Sequence, residues 1–588
     1  MYQQSFPELN ASDAFMHQAI WAPKPVGVQP WYAHRDGCVL RDGEIRHYGW
    51  EIIADEPRRV YVSSRDWGLS WKKVVVFNDD ELGAMVQSPY SGDFLTICNI
   101  TKQALALPSL HAAGKQGPAL IRSAQGPGGC EKSVEFLDFP DFRFFRQPQP
   151  LQHRQRWLCV GATTGKDGAQ WATALLSDDD GKTWRRRIIE PNVSCDKLIY
   201  PDRGLRWNNY CCEPTVVELS DGALLMAVRT SFNCHYLYRS SDGGDSWTGP
   251  EPMPHFHATN TMPTFLRLKD GRILFFWNNT RALPKDDPDT MSELNDSERR
   301  GRSETVFTNR DAIHAAISDD DGKSWRGFRE LYLNSVRNQV DFRSLGNDAL
   351  HEHDKSVHQS QALELPNGKV LIALGQNPAA RRLLLFDPGW LYETERREDF
   401  RHGLGDLSTH LYVKSLTGNS RGWAGHCAWN RCPGATLARE PDNPTGIREV
   451  LHIARIHDER LYSDRQGVVW NFPAARQGQL SIEIYIAGAG CSVTLSDCWF
   501  NPCDPYAAEL SPFSCAVDAA LIGANAWKTL QLSWDLDTRN VTLNCDDKII
   551  LNASIAKPPQ FGLSYLHLQT LATSHEPQGC FIKSLHKV

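Results

Sequence analysis

Hydrophobic positions along this chain come in short runs broken by polar turns. T-V-V-E-L-S-D-G-A-L-L-M-A-V (215–228), T-F-L-R-L-K-D-G-R-I-L-F-F-W (264–277) and A-L-E-L-P-N-G-K-V-L-I-A-L (362–374) each place an Asp-Gly or Asn-Gly pair between two apolar runs. Such a pattern predicts two antiparallel strands joined by a tight turn, with glycine supplying the positive φ. The apolar runs are too short for helices, and none approaches the ~18 residues of a membrane span. An all-β chain is expected.

A second pattern is superimposed on the first. S-R-D-W-G-L-S-W (64–71), S-D-D-D-G-K-T-W (177–184), S-S-D-G-G-D-S-W (240–247) and S-D-D-D-G-K-S-W (318–325) all fit S-x-D-x-G-x-[ST]-W, and each follows a half-alternating apolar run. The repeated turn predicts strand, turn, strand, with Asp66, Asp179, Asp242 and Asp320 bonding turn N–H groups and the tryptophan wedged into an apolar layer. Repetition makes these aspartates structural. The gap between Asp66 and Asp179 is the longest, which predicts an insertion or a repeat lacking the turn. Pro284–Ser303 is polar and charged, and reads as an inserted loop.

After about Tyr462 the rhythm changes. G-V-V-W-N-F, L-S-I-E-I-Y-I, C-S-V-T-L-S, W-K-T-L-Q-L-S-W, N-V-T-L-N and K-I-I-L-N-A-S follow as short strands without the turn motif. Two units are therefore expected in the 588 residues, 1–462 and 463–588.

Composition narrows the function. With 41% hydrophobic and 23% charged residues the chain reads as an ordinary soluble globular protein. Its 63 basic against 70 acidic residues, formal charge -7, carry no electrostatic footprint for nucleic acid or a membrane surface. An anionic ligand would need a local arginine cluster. The N-terminus lacks the basic and apolar regions of a secretory signal, and the sixteen cysteines form no C-x-x-C pair, so reduced thiols in the cytoplasm are expected, secretion with a removed leader being the alternative.

The four turns resemble the Asp-box of sialidase-like (BNR repeat) β-propellers. This resemblance implies a propeller of six blades, seven being the alternative, and the C-terminal segment resembles a lectin-like or laminin-G-like β-sandwich of jelly-roll type. C-E-P-T-V-V-E-L-S-D-G-A-L-L-M-A-V-R places Glu213 and Arg229 at opposite ends of one hairpin, so its two strands return them side by side. In the family, a glutamate opens such a strand and an arginine closing the next one holds a substrate carboxylate. Arg310, opening the run before the fourth turn, resembles a second arginine of the family's carboxylate-binding arginine triad. Two guanidinium groups converging on one carboxylate make a specific anchor for an acidic sugar.

For the remaining arginine the candidates are Arg35, Arg41, Arg46 and Arg431. The family's nucleophilic tyrosine has no counterpart in V-H-Q-S-Q-A-L-E-L, where His358 or Gln359 stands in its place and His358 is the candidate acid or base. Asp42 and Asp55 are candidate acid/base aspartates. Trp207, Asn208, Asn209 and Tyr210, and likewise Trp277, Asn278 and Asn279, suit contact with a sugar ring. The histidine clusters His351, His353, Asp354, His358 and His255, His257 lack a third ligand fixed by spacing, so no metal or other cofactor is expected.

The expectation is an exo-acting glycoside hydrolase that removes a terminal acidic sugar, sialic-acid-like or a uronic acid, from a glycan. A uronate lyase and a non-catalytic glycan-binding propeller are the alternatives.

Overall fold

The computed structural model describes residues 11–588 apart from 31–36, 77–82, 101–116, 129–131, 145, 167, 192–209, 231, 259–260, 282, 285–305, 308–309, 335–355, 359, 376–379, 413–430 and 458–462. The Pro284–Ser303 loop falls almost wholly outside the described residues.

Among the described residues strands dominate, and those of the first two thirds of the chain form six antiparallel meanders and one small pair, Leu283–Pro284 with Val306–Phe307. Sheet 1 comprises Gly37–Val39, Ile45–Ile53, Glu56–Ser64 and Lys72–Val75; sheet 2 Val86–Gln87, Phe94–Ile100, Gly117–Ser123 and Lys132–Phe136. Sheet 3 has a first strand in two pieces, Arg143–Phe144 and Gln149–Pro150, followed by Trp157–Thr164, Gln170–Ser177 and Arg185–Ile188. Sheet 4 is Tyr210–Glu218, Leu224–Thr230, Cys234–Ser240 and Thr248–His257; sheet 5 is Thr264–Arg267, Ile273–Trp277, Ala312–Ser318 and Arg326–Leu333. Sheet 6 takes Gln361–Glu364, Val370–Leu374 and Arg382–Phe386, and borrows Lys24–Gly27 from the start of the chain as its fourth strand. This all-β arrangement fits a β-propeller.

Each repeated turn joins the third and fourth strands of its sheet. In all four the serine hydroxyl donates to the aspartate Oδ1 and accepts the glycine N–H, while the same Oδ1 accepts the N–H four residues on, every distance lying between 2.8 and 2.9 Å. The residue before the glycine and the glycine itself both have positive φ, as at Gly243 (73°) and Gly244 (96°). Trp71, Trp184, Trp247 and Trp325 return their Nε1–H to the glycine carbonyl at 3.0–3.1 Å. The indole is thereby locked flat beneath the turn.

That indole packs on the preceding sheet. Trp71 lies in the cluster of Leu365, Leu371 and Leu385 from sheet 6, Trp184 against Leu95 of sheet 2, Trp247 against Leu158 and Leu176 of sheet 3, and Trp325 against Leu225 and Val217 of sheet 4. A further shared core joins sheets 5 and 6 through Leu274, Phe276, Ile372 and Leu384. The first strands also meet one another: Gly37 N–H donates to Gln361 Oε1 (2.9 Å), the Thr264 and Ser360 hydroxyls are bonded (2.8 Å), and Phe265 N–H donates to Thr215 Oγ1 (3.0 Å).

Beyond these, Leu411–Tyr412 pairs with Arg431–Cys432, and the later strands form an eight-stranded sheet facing a four-stranded one over a core of Trp470, Phe472, Ile482, Leu532, Leu543, Leu566 and Leu568. Every strand expected after Tyr462 is present. The larger sheet, however, also holds Arg396–Glu398, Thr436–Arg439 and Glu449–Arg455, which pair directly or in succession with Glu576–Lys587. It therefore reaches back across the expected junction at 462. The change of rhythm marks where this unit's strands become contiguous in sequence, and its earlier strands are separated by long connections that hide them.

The two parts pack through sheets 4 and 5. Phe561 and Ala474 enter the core of Phe256, Phe328 and Trp325, while Val469, Trp499 and Tyr565 enclose Ala312. A buried relay crosses the joint. Asn279 N–H donates to His314 Nδ1 (3.0 Å), which leaves the proton on Nε2, directed at Tyr565 Oη, and Tyr565 donates to Glu330 Oε1 (2.7 Å).

Candidate functional site

In an antiparallel meander the first strand starts, the second ends and the third starts at one edge, so the repeated turns lie at the other. Glu213, at the start of the first strand of sheet 4, Arg229, at the end of its second, and Arg310, just before the third strand of sheet 5, share the edge opposite the turns. His358, just before the first strand of sheet 6, and Asp55, in the turn between the second and third strands of sheet 1, lie at that edge too.

Glu213 is built into this position by local backbone. The pairing of Tyr210–Glu218 with Leu224–Thr230 slips twice, between Tyr210 and Cys212 and again before Thr215. Within the slips Cys211 (φ 63°) and Glu213 (φ 43°) adopt left-handed conformations, which costs a non-glycine residue about 1–3 kcal/mol. The bulges turn the Glu213 carboxylate onto Arg229, whose Nη1 donates to Oε2 at 2.7 Å. Arg229 is 6% and Glu213 14% exposed at the side chain, so the pair is largely removed from water yet retains an open side.

Arg310 is 1% exposed and its Nη1 lies 3.2 Å from His358 Nε2. A guanidinium only donates, so Nε2 accepts and the imidazole proton resides on Nδ1. His358 is itself 1% exposed, and its backbone binds the same neighbourhood: Val357 N–H donates to the Arg310 carbonyl (3.0 Å). The candidate acid/base histidine thus has the nitrogen nearest the arginine already engaged.

Arg431 does reach sheet 5, as a late segment returning to it, but its partner is Asp311. Arg431 Nη2 and Tyr412 Oη both donate to the Asp311 carboxylate, with His410 Nε2 3.6 Å away, and Arg431 and Asp311 are fully buried. Burial opposes ionisation of Asp311, but the Arg431 charge and the bonds from His410 and Tyr412 outweigh it and hold the carboxyl far below the ordinary range. Arg431 is a structural partner without an open face.

Arg41, Asp42 and Arg46 are excluded from this edge by topology. They line, with Glu44 and Arg65, a cleft of about 280 Å³ on the side of the repeated turns. There Glu44 pairs with Arg46 at 2.6 Å, and Arg65 with Asp42 at 3.0 Å. Trp277, Asn278 and Asn279 are buried as well. Trp277 packs on Phe256, Phe275 and Phe328, Asn278 Nδ2 donates to the Ala312 carbonyl (2.6 Å) and Asn279 Nδ2 to the Asp497 carbonyl (2.7 Å), so none of the three presents a surface to a sugar. Arg35, Trp207, Asn208, Asn209, Gln359, His351, His353 and Asp354 lie outside the described residues, as does the side chain of Tyr210.

One arginine escaped sequence reading. Arg146, in the break between the two pieces of the first strand of sheet 3, donates to the Ser360 carbonyl (2.9 Å) and to Thr264 Oγ1 (2.7 Å). It joins the first strands of three sheets. Only its place in an aromatic strand, F-R-F-F-R-Q, signals it, and no motif surrounds it.

A repetitive all-β scaffold with arginines and a glutamate gathered at the edge away from its repeated turns is the class that fold and site define. Residues 143–372, somewhat under half of the chain, match the family described as the BNR repeat-like domain. No curated protein matches the chain. Among solved structures it is similar to the Trypanosoma rangeli sialidase in complex with 2,3-difluorosialic acid, described as a covalent intermediate (12% identity, 96% of this chain and 94% of that chain, TM-score 0.36). It is also similar to a protein of unknown function from Dyadobacter fermentans (15%, 62% and 98%, TM-score 0.38) and to the NanB sialidase of Streptococcus pneumoniae (12%, 63% and 71%, TM-score 0.38).

Proposed function

We propose that this protein is an exo-acting glycoside hydrolase that removes a terminal acidic sugar from a glycan. The observation that carries the reading is Glu213, held in a left-handed conformation at a double bulge and paired at 2.7 Å with the largely buried Arg229. Backbone strain maintained around a charged pair at a strand end is a feature of functional sites.

In this reading Arg229 and Arg310 grip the sugar carboxylate, and Glu213 holds Arg229 in place and acts as base toward the group that attacks. His358 positions Arg310 through Nε2. Asp55, exposed at the same edge, is the acid/base candidate in preference to Asp42, which lies at the other. The scaffold is a six-bladed propeller, a reading supported by the box tryptophans, which staple sheets 3, 4 and 5 each to its predecessor and sheet 1 to sheet 6, and by the core shared between sheets 5 and 6. The sandwich is a second domain beginning near Arg396, supported by the pairing of Arg396–Glu398 with Glu576–Lys587. The cytoplasmic setting expected from cysteine usage belongs to the same proposal.

The test is turnover on a panel of aryl glycosides of sialic and uronic acids. Glu213→Gln and Arg229→Ala should each lower kcat/KM by at least about a hundredfold. His358→Gln should raise KM while leaving the pH profile of kcat unchanged, whereas loss of a limb of that profile would make His358 the acid or base. A product absorbing as an unsaturated uronate would replace hydrolysis by β-elimination. Binding to the panel without turnover would leave a lectin.

A further inference from the structure

His257, at the end of the last strand of sheet 4, meets the second part of the molecule at Asp497 and Cys498. His257 Nε2 lies 3.1 Å from Asp497 Oδ2, and both atoms and the Cys498 sulfur are within 4.8 Å of one another. Spacing along the chain cannot suggest this cluster, since 240 residues separate His257 from Asp497. We propose that His257, Asp497 and Cys498 form a zinc site that clamps the sandwich onto sheet 4.

Donor types support this choice of ion. One imidazole, one carboxylate and one thiol suit a borderline cation, whereas magnesium and calcium want oxygen alone. Distances support it too. Tetrahedral zinc with nitrogen and oxygen ligands at about 2.0–2.1 Å separates those atoms by roughly 3.3 Å, close to the separation present here. The His257 and Asp497 atoms need little movement to share one ion, and the Cys498 sulfur, within 4.8 Å of both, closes onto it from the same side.

The backbone holds the ligands in place from both sides. Trp499 N–H donates to the Asn279 carbonyl (2.8 Å), Asn279 Nδ2 donates to the Asp497 carbonyl (2.7 Å), and Thr280 and Trp499 form a parallel bridge. Asp497 and Cys498 are therefore anchored to sheet 5 beside His257. Cys498 is 2% exposed, so its sulfur is turned into this joint rather than toward solvent. His255, two residues before His257, faces the same joint against Phe561.

The full chain, stripped with EDTA under reducing conditions, is titrated with Co²⁺ as a spectroscopic substitute for zinc. One equivalent should give a thiolate-to-cobalt charge-transfer band with tetrahedral ligand-field bands, bleached by Zn²⁺, and Zn²⁺ should raise Tm. Cys498→Ala should lose both the charge-transfer band and the zinc-linked rise while its metal-free Tm stays near that of the parent. Asp497→Asn should weaken cobalt binding at least about tenfold. A stripped protein that shows neither band nor Tm rise would overturn the site, leaving a hydrogen-bonded His–Asp pair. The same band persisting in Cys498→Ala would also overturn it, assigning binding to another of the sixteen cysteines.

Discussion

Asp242→Asn isolates the charge of a repeated turn from its shape. Asp242 Oδ1 accepts from Ser246 N–H (2.9 Å) and Ser240 Oγ (2.8 Å), and Oδ2 faces the Ser246 hydroxyl. In asparagine Oδ1 keeps both bonds, and Nδ2 can donate to the Ser246 hydroxyl. Only the charge is lost. Burial pushes the Asp242 carboxyl up, but the Ser246 hydroxyl, the Ser246 N–H and Ser240 together pull it down to about 2 from 3.8. A shift of that size corresponds to at most about 2.5 kcal/mol, and solvent screening at this partly exposed turn reduces it to about 1 kcal/mol.

Because the folded value is depressed, this stability is present above the unfolded pKa near 3.9 and is lost as pH falls through it toward about 2. Asp242→Asn should therefore lower Tm by about 1 °C at pH 7. The deficit should shrink steadily below pH 4. Asp242→Ala, which also abandons the turn N–H and hydroxyl donors, should cost about 2 kcal/mol at pH 7 and retain part of its deficit in acid. Scanning calorimetry of the three proteins from pH 7 to pH 3 measures this. A deficit for Asp242→Asn that is the same at pH 3 as at pH 7 would refute the charge argument.

Trp71→Ala removes the indole joining sheet 1 to sheet 6 and should destabilise by about 3–5 kcal/mol, with early proteolytic release of the N-terminal segment. Asp311→Asn leaves Arg431 buried without its counter-charge and should cost about 3–5 kcal/mol, read as a loss of soluble yield or a drop in Tm well beyond that of Asp242→Asn. Tyr565→Phe breaks the relay from His314 to Glu330 and should cost about 1–3 kcal/mol; a change below about 0.5 kcal/mol would mean the joint does not depend on it.

Local chemistry made part of this molecule legible. The four turns could be read because each uses only eight consecutive residues, whose serine, aspartate, glycine and tryptophan satisfy one another, and the meanders because Asp-Gly pairs separate alternating strands. Glu213 and Arg229 could be paired for the same reason, since one hairpin fixes their meeting. Resemblance to a known family then supplied the candidate roles.

Where each tryptophan lands was not legible, because the core it enters belongs to the preceding sheet, and for Trp71 to strands roughly three hundred residues later. Nor could sequence show that Lys24–Gly27 completes sheet 6, that Arg146 meets Thr264 and Ser360, or that Arg431 is spent on Asp311. Arg41 and Asp42 resemble Arg310 and Asp55 as residues, and only the direction of the strands sets them on opposite edges. The sequence by itself determined the repeating unit and its turn chemistry, which are local bonds. Tertiary structure decided which charged groups share an edge and which are buried in pairs, because those depend on the order in which distant sheets pack.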